Sequence, residues 1–263
     1  MRTTSGDHPP ARDGVRRGSP EDVGTNVAVF PLSVPACAPG GAMTSRLPWW
    51  IEGGGFVLAF NAGIANAIGL LGFQHQAMSH LTGTTTMVGV ALAEGHFGLT
   101  LHLLAVLGSF TFGAVVSAMI VNGGTLKISR RYYAVLFLEG AAFFAAAVLL
   151  QDGSTIGHHL ASFACGAQNA MATTYSGSIV RTTHVTGVFT DIGIWLGQAL
   201  RGHRQDLRQI KIHLALVSGF VVGGGAGAVL YAALGLGSLY ACAGVAMALG
   251  FTAMVMVRRE PGR

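Results

Sequence analysis

Six runs of about twenty mostly apolar residues, at 54–73, 98–122, 132–150, 154–174, 213–235 and 239–257, constrain this chain more than any other feature. A hydrocarbon core about 30 Å thick takes roughly 20 such residues in a helix rising 1.5 Å per residue. Charged residues make up 10% of the 263, against about a quarter in soluble domains, so a water-facing surface is missing. A soluble enzyme with one large core is excluded, and the chain reads as an all-α polytopic membrane helix bundle. The 39 glycines have no three-residue period, which rules out a collagen-like chain.

Two further apolar runs, 80–94 and 184–200, are shorter and rich in Thr and Gly. Basic residues then set the topology. Arg46 precedes the first run; Lys127, Arg130 and Arg131 lie between the second and third; Arg181 follows the fourth. Arg201, Arg204, Arg208 and Lys211 precede the fifth, and Arg258, Arg259 and Arg263 follow the last. The connections near Asp152 and at 236–238 carry no Lys or Arg. Eight crossings would force a strongly basic loop outside. Six crossings put every basic cluster on the cytoplasmic face of a bacterial inner membrane, with both termini. The two short runs then become re-entrant or broken helices. The net charge of +5 is spread between spans, so no nucleic acid partner is expected.

Residues 1–47 hold Pro9, Pro10, Pro20, Pro31, Pro35 and Pro39 and no sustained apolar face, and read as a disordered cytoplasmic tail. Met43 offers a second translation start just before the first span. Residues 258–263 form a short cytoplasmic C-terminal tail. The cysteines Cys37, Cys165 and Cys242 have no metal-ligand spacing, and no disulfide framework or metal site is expected.

The short runs share a motif. His80-Leu81-Thr82-Gly83-Thr84-Thr85-Thr86-Met87-Val88-Gly89 and His184-Val185-Thr186-Gly187-Val188-Phe189-Thr190-Asp191-Ile192-Gly193 both read H-x-T-G-x-x-T-x-x-G, 104 residues apart. Asn61 and Asn66 precede the first, Gln168 and Asn169 the second, and Phe110-x-x-Gly113 echoes Phe220-x-x-Gly223. Residues 48–152 and 153–257 thus form two membrane repeats. Three crossings in each make the second enter from the opposite face, an inverted 3+3 repeat of the kind that builds a site at the repeat interface.

The stretch Phe56–Gly95, with Asn61, Ala65-Asn66-Ala67 and His80-Leu81-Thr82-Gly83, resembles the first half of the YoaK-like family of bacterial membrane proteins. Gly166-Ala167-Gln168-Asn169-Ala170 through Thr183-His184-Val185-Thr186-Gly187 resembles its second half. The family commonly shows M-T-G-N where this chain has Leu81-Thr82-Gly83-Thr84. The resemblance, over about residues 50–257, implies a six-span membrane protein and no established catalytic residues.

Candidate substrate or ion ligands are therefore the motif residues and nearby polar groups: Asn66, His80, Thr82, Gly83, Thr86, Asn169, His184, Thr186, Gly187, Thr190, Asp191 and Glu139. Imidazole titrates near neutral pH and suits a proton or substrate ligand. A carboxyl inside the membrane costs about 2.5–3.5 kcal/mol on insertion scales and needs a partner. Close helix packing explains the Thr and Gly positions equally well. The leading expectation is a transporter or channel-like permease for a small polar or anionic solute, without a cofactor, with the bilayer as its main partner and homo-oligomerisation open. An intramembrane enzyme acting on a lipid or quinone-like substrate, or a non-catalytic assembly or stress protein, are the alternatives. No catalytic triad, HExxH or CxxC supports an enzyme.

Overall fold

The structure is a computed structural model that describes residues 50–72, 76–121, 130–176, 182–204 and 206–259. The tail expected over 1–47, the start at Met43, Lys127 and Arg181 lie outside those residues. Among the described residues every regular element is helical: α1 (Trp50–Gly72), α2 (Leu81–Ala93), α3 (Phe97–Val121), α4 (Arg130–Gln151), α5 (Ile156–Tyr175), α6 (Val185–Leu200), α7 (Leu207–Leu234) and α8 (Leu239–Arg259). A 3-10 turn, Gly235–Ser238, joins α7 to α8. All the apolar runs, long and short, fold as helices. The largest departure is α7, which starts six residues before the expected 213. The Asp206 carboxylate accepts from the Arg208 backbone N–H at 2.8 Å, and the Arg208 guanidinium donates to Glu52 at 3.1 Å, so the polar first turns are anchored.

Among the described residues four stretches are long and apolar enough to cross a membrane: Glu52–Gly72, Phe97–Val121, Arg130–Gln151 and Leu207–Arg259, the last containing α7 and α8. α5 has 20 residues but carries His158, His159, Ser162, Gln168 and Asn169, and much of it is buried among its neighbours. The outer surface is apolar instead: Leu101 and Met119 on α3 are 68% and 75% exposed, and Val229 on α7 is 72% exposed. Apolar side chains outside and small or polar ones inside suit lipid as the solvent.

The helices pack in pairs. α1 and α7 run parallel, with Phe56 against Gly219, Phe60 against Gly223 and Ile64 against Gly227. α3 and α5 also run parallel, with His102 beside His158, Val106 beside Ser162 and Phe110 against Gly166. α4 and α8 are antiparallel, Gln151 meeting Tyr240 and Phe137 meeting Gly250. The starts of α1, α4 and α7 and the ends of α3, α5 and α8 therefore share one end of the bundle. This basic end carries Arg130, Arg131, Arg208, Lys211, Arg258 and Arg259.

Both parallel crossings use the same device. A Cβ on Gly63 would fall on the Phe220 carbonyl oxygen, and one on Gly223 on the Phe60 carbonyl oxygen. In the other pair, Gly113 meets the Phe163 carbonyl and Gly166 the Phe110 carbonyl in the same reciprocal way. Each partner thus contributes a Phe-x-x-Gly step, and hydrogen is the only side chain that fits between the backbones.

The short helices begin inside the bundle. After α1 the chain turns back so that Gln76 and Met78 meet Gly69 and Ser79 meets Asn66. Asn66 lies six residues from the end of α1, about 9 Å along its axis. α2 then returns to the end it came from and passes through Gly95, at φ +75, into α3. The second half repeats the pattern at the basic end: Thr182 meets Gln168, seven residues inside the end of α5. α6 then runs back to the basic end, where the Trp195 indole N–H donates to the Asp206 carbonyl at 3.2 Å.

Candidate functional site

The two H-x-T-G segments meet. A cavity of about 540 Å³ opens where α2 and α6 begin, lined by His80, Leu81 and Thr82 from one and Thr183, His184, Val185 and Thr186 from the other. Asn66 on α1 and Phe220 and Gly224 on α7 complete the wall. His80 and His184 each stand at a helix N-cap with nearly the same backbone angles (φ −88, ψ 67 and φ −96, ψ 58). Neither caps its helix with its side chain. Each N-terminus carries roughly half a positive elementary charge, and two of them converge here.

Asn66 fixes the approach to α2. Its Nδ2 donates to Ser79 Oγ at 2.6 Å and to the Ala62 carbonyl at 2.9 Å, and its Oδ1 accepts from the Ser79 backbone N–H at 2.9 Å. Gln168 does the same work before α6, its Nε2 donating to Thr182 Oγ1 at 3.1 Å and to the Leu58 carbonyl at 3.0 Å.

Of the residues predicted from sequence, the cavity gathers Asn66, His80, Thr82, His184 and Thr186. The others stand elsewhere. Gly83 lies under the His80 ring, where a Cβ would meet Nδ1. Thr86 and Thr190 are exposed on the outer faces of α2 and α6, and their hydroxyls donate to the Thr82 and Thr186 carbonyls. Gly187 has open space around its Cα. Asp191 is exposed, with His213 Nε2 on α7 at 3.8 Å from its Oδ2. Asn169 is half-buried beside Gln168, and its Oδ1 has no hydrogen-bond partner among the described residues.

Glu139 is wholly buried and belongs to a second polar centre. Its Oε1 accepts from Asn61 Nδ2 at 2.9 Å, and the same Nδ2 reaches Gln168 Oε1 at 3.5 Å. Asn61, Glu139 and Gln168 are each at most 2% exposed. Buried polar atoms left without partners cost about 1–3 kcal/mol each, so a cluster at this depth has to be reconciled atom by atom. The partner of Glu139 is an amide 78 residues away and not Arg131, which lies a little over two turns before it on α4.

A third group was not legible as a cluster. His102 Nε2 lies 3.2 Å from His158 Nδ1, and the His159 ring centroid is 5.1 Å from that of His102. Parallel packing of α3 on α5 brings them together beside a cavity of about 640 Å³ lined also by Gln76 and Thr155. Among the described residues no group of three His, Cys, Asp or Glu is arranged to hold a metal ion.

A bundle with an apolar exterior, glycine-mediated crossings and polar groups in its interior defines a helical membrane protein. Residues 54–252 match the family described as "Protein of unknown function (DUF1275)", and the chain belongs to that family. The match agrees with the resemblance to the YoaK-like proteins and spans both halves of the helical region. No curated protein and no solved structure matches the chain.

Proposed function

We propose that this protein is a permease of the bacterial inner membrane for a small polar or anionic solute, built as two inverted repeats of three crossings each. The observation that carries the reading is the cavity shared by the two H-x-T segments, one from each half. Transporters with inverted repeats hold substrate at the repeat interface, where the N-termini of interrupted helices face anionic groups. His80, His184, Thr82, Thr186 and Asn66 are the ligands.

Three features support the repeat. His80 and His184 are 104 residues apart; Phe60 and Gly63 pair with Phe163 and Gly166 at a spacing of 103; Phe110 and Gly113 pair with Phe220 and Gly223 at 110. The reciprocal contacts follow that pairing, with the first long helix of each half crossing the second long helix of the other, α1 on α7 and α5 on α3. The short helices end at opposite ends of the bundle. Six crossings also explain why the basic residues of the described helices gather at one end, which the positive-inside rule makes cytoplasmic.

Topology is tested by single cysteines labelled from outside intact cells with an impermeant maleimide. Asp152→Cys is expected to react and Arg204→Cys to be protected; the reverse pattern overturns the orientation, and reaction at both overturns the six crossings. Function is tested in proteoliposomes by light-scattering flux of formate, nitrate, urea and glycerol. At least one is expected to move faster than through empty liposomes. His80→Ala and His184→Ala are each expected to cut that rate on the order of tenfold, the effect of losing about 1.4 kcal/mol of barrier stabilisation. Unchanged rates in both variants remove the histidines from the path.

A further inference from the structure

The cluster around Glu139 has a shortage that can be counted. An Asn or Gln amide nitrogen has two donors. Those of Asn61 go to Glu139 Oε1 and Gln168 Oε1, and those of Gln168 go to the Leu58 carbonyl and Thr182 Oγ1. Turning the Asn61 amide over would set oxygen against oxygen, so its orientation is fixed. Every amide donor is then committed, yet Glu139 Oε2 and Asn61 Oδ1 remain buried acceptors without a partner among the described residues. No ion pair to Glu139 occurs among the described residues. The ionisable groups set against it from neighbouring helices are the buried thiols of Cys165 on α5 and Cys242 on α8; α1 meets it with Asn61. What the cluster lacks is one donor.

The cluster also has a way in. Leu58, Leu136 and Met171 stand one helical turn from Asn61, Glu139 and Gln168 toward the basic end, and all three line an apolar cavity of about 310 Å³ between α1, α4, α5 and α8. At ~30 Å³ per water molecule that space has room for water to pass, while its apolar walls offer no site that holds one in place. At the opposite end the same four helices are shut. Gln151 on α4 donates to Tyr240 Oη on α8 at 3.1 Å, a Cβ on Gly157 of α5 would strike the Leu150 side chain, and Ile68, Ala146 and Leu239 are fully buried.

We infer that Glu139 is a proton-binding site, held in place by Asn61 and Gln168 and loaded from the basic end of the bundle through this cavity. One proton on Oε2 turns the carboxyl into the missing donor, with Asn61 Oδ1 as the acceptor on the residue already bonded to Oε1. Gln168 ties the site to Thr182, two residues before His184, so loading bears on the segment that opens into the solute cavity. The site rests on the permease reading only for its use in coupling; binding of the proton is tested without any flux.

Dicyclohexylcarbodiimide is the probe. It is apolar and reacts with a protonated carboxyl: the acid proton passes to a carbodiimide nitrogen, the oxygen adds to the central carbon, and acyl migration leaves a stable acylurea carrying the mass of one reagent. The full-length protein in liposomes is treated across a pH series and mapped by peptide mass spectrometry. An adduct on Glu139 is expected, with its rate falling about tenfold for each pH unit past the titration midpoint, the slope of a one-proton titration. Sodium chloride at constant pH is expected to leave the rate unchanged. Ala253→Phe, which fills the cavity wall, is expected to lower the rate at least several-fold. No adduct on Glu139 in folded protein overturns the site. Protection by sodium makes it a metal-cation site instead, and an unchanged rate in Ala253→Phe overturns the route.

Discussion

Alanine at Gly166 or Gly223 is expected to lower the unfolding temperature sharply, whereas alanine at Gly108 or Gly225 leaves it unchanged or raises it. The chemistry of the four substitutions is the same. In a helix interior, replacing Gly by Ala ordinarily gains about 0.5–1 kcal/mol, because the unfolded backbone has less freedom to lose. Gly108 and Gly225 have open space where a Cβ would go, so that gain stands. At Gly166 the Cβ would fall on the Phe110 carbonyl, and at Gly223 on the Phe60 carbonyl. The obstacle is backbone on both sides, which cannot rotate away as a side chain can. The helices must separate, and overpacking costs of about 1–3 kcal/mol or above outweigh the entropic gain. Each crossing is reciprocal, so Gly63→Ala should repeat the effect of Gly223→Ala, and Gly113→Ala that of Gly166→Ala. Thermal unfolding followed by tryptophan fluorescence in detergent reads the sign directly. A loss at none of the crossing glycines would mean that α1/α7 and α3/α5 are not packed backbone to backbone.

These crossings explain how much could be read from the sequence. Apolar length predicts helices well when the surrounding solvent is lipid, because the backbone has no alternative to satisfying itself within a helix. Hence both the long and the short runs were found near their bounds, including α5, whose His158, Ser162 and Gln168 make it less apolar than its neighbours. The H-x-T-G repeat was visible because its residues are chemically distinctive at fixed spacing, and the cavity does bring the two copies together. Phe-x-x-Gly is a weaker signal. Phe110-x-x-Gly113 and Phe220-x-x-Gly223 stood out, but Phe60-x-x-Gly63 and Phe163-x-x-Gly166 did not, and Phe137-x-x-Gly140 on α4 faces α8 without joining either crossing. Only the pairing of helices separates the steps that cross from the one that does not.

The placement of single polar residues was the least legible. A period of three or four residues assigns a side chain to a face of its own helix but says nothing of which helix it meets. Asp191 was a candidate because an acid inside an apolar run is costly and needs a partner; it stands exposed on α6, and the group it meets is His213 of α7, 3.8 Å away. Glu139 raised the same question, and its answer came from α1, through Asn61, 78 positions away. Asn61 and Gln168 looked like companions of the motifs; Asn61 is the partner of the buried acid, and Gln168, bonded to Asn61 and to Thr182, links it to the second motif.

That arrangement sets an expected order of stabilities for a double-mutant cycle. Asn61→Leu strands two acceptors, Glu139 Oε1 and Gln168 Oε1, and is expected to cost about 3 kcal/mol, since each buried acceptor left without a donor costs roughly 1–3. Glu139→Leu leaves a single Asn61 N–H without an acceptor while the other keeps its bond to Gln168; it should cost about 1 kcal/mol, less than Asn61→Leu. The double variant should then cost less than Asn61→Leu alone, because the stranded carboxyl is gone. The coupling has a scale for comparison: interhelical hydrogen bonds in a bilayer average ~0.6 kcal/mol and reach about 1.7. A coupling at or above the upper value marks Asn61 and Glu139 as a unit that neither can leave without penalty to the other. Reversible unfolding in mixed micelles measures all four corners. A coupling near zero would mean that Glu139 is stabilised without its amide, and the donor shortage at Oε2 would then have to be met from elsewhere in the bundle.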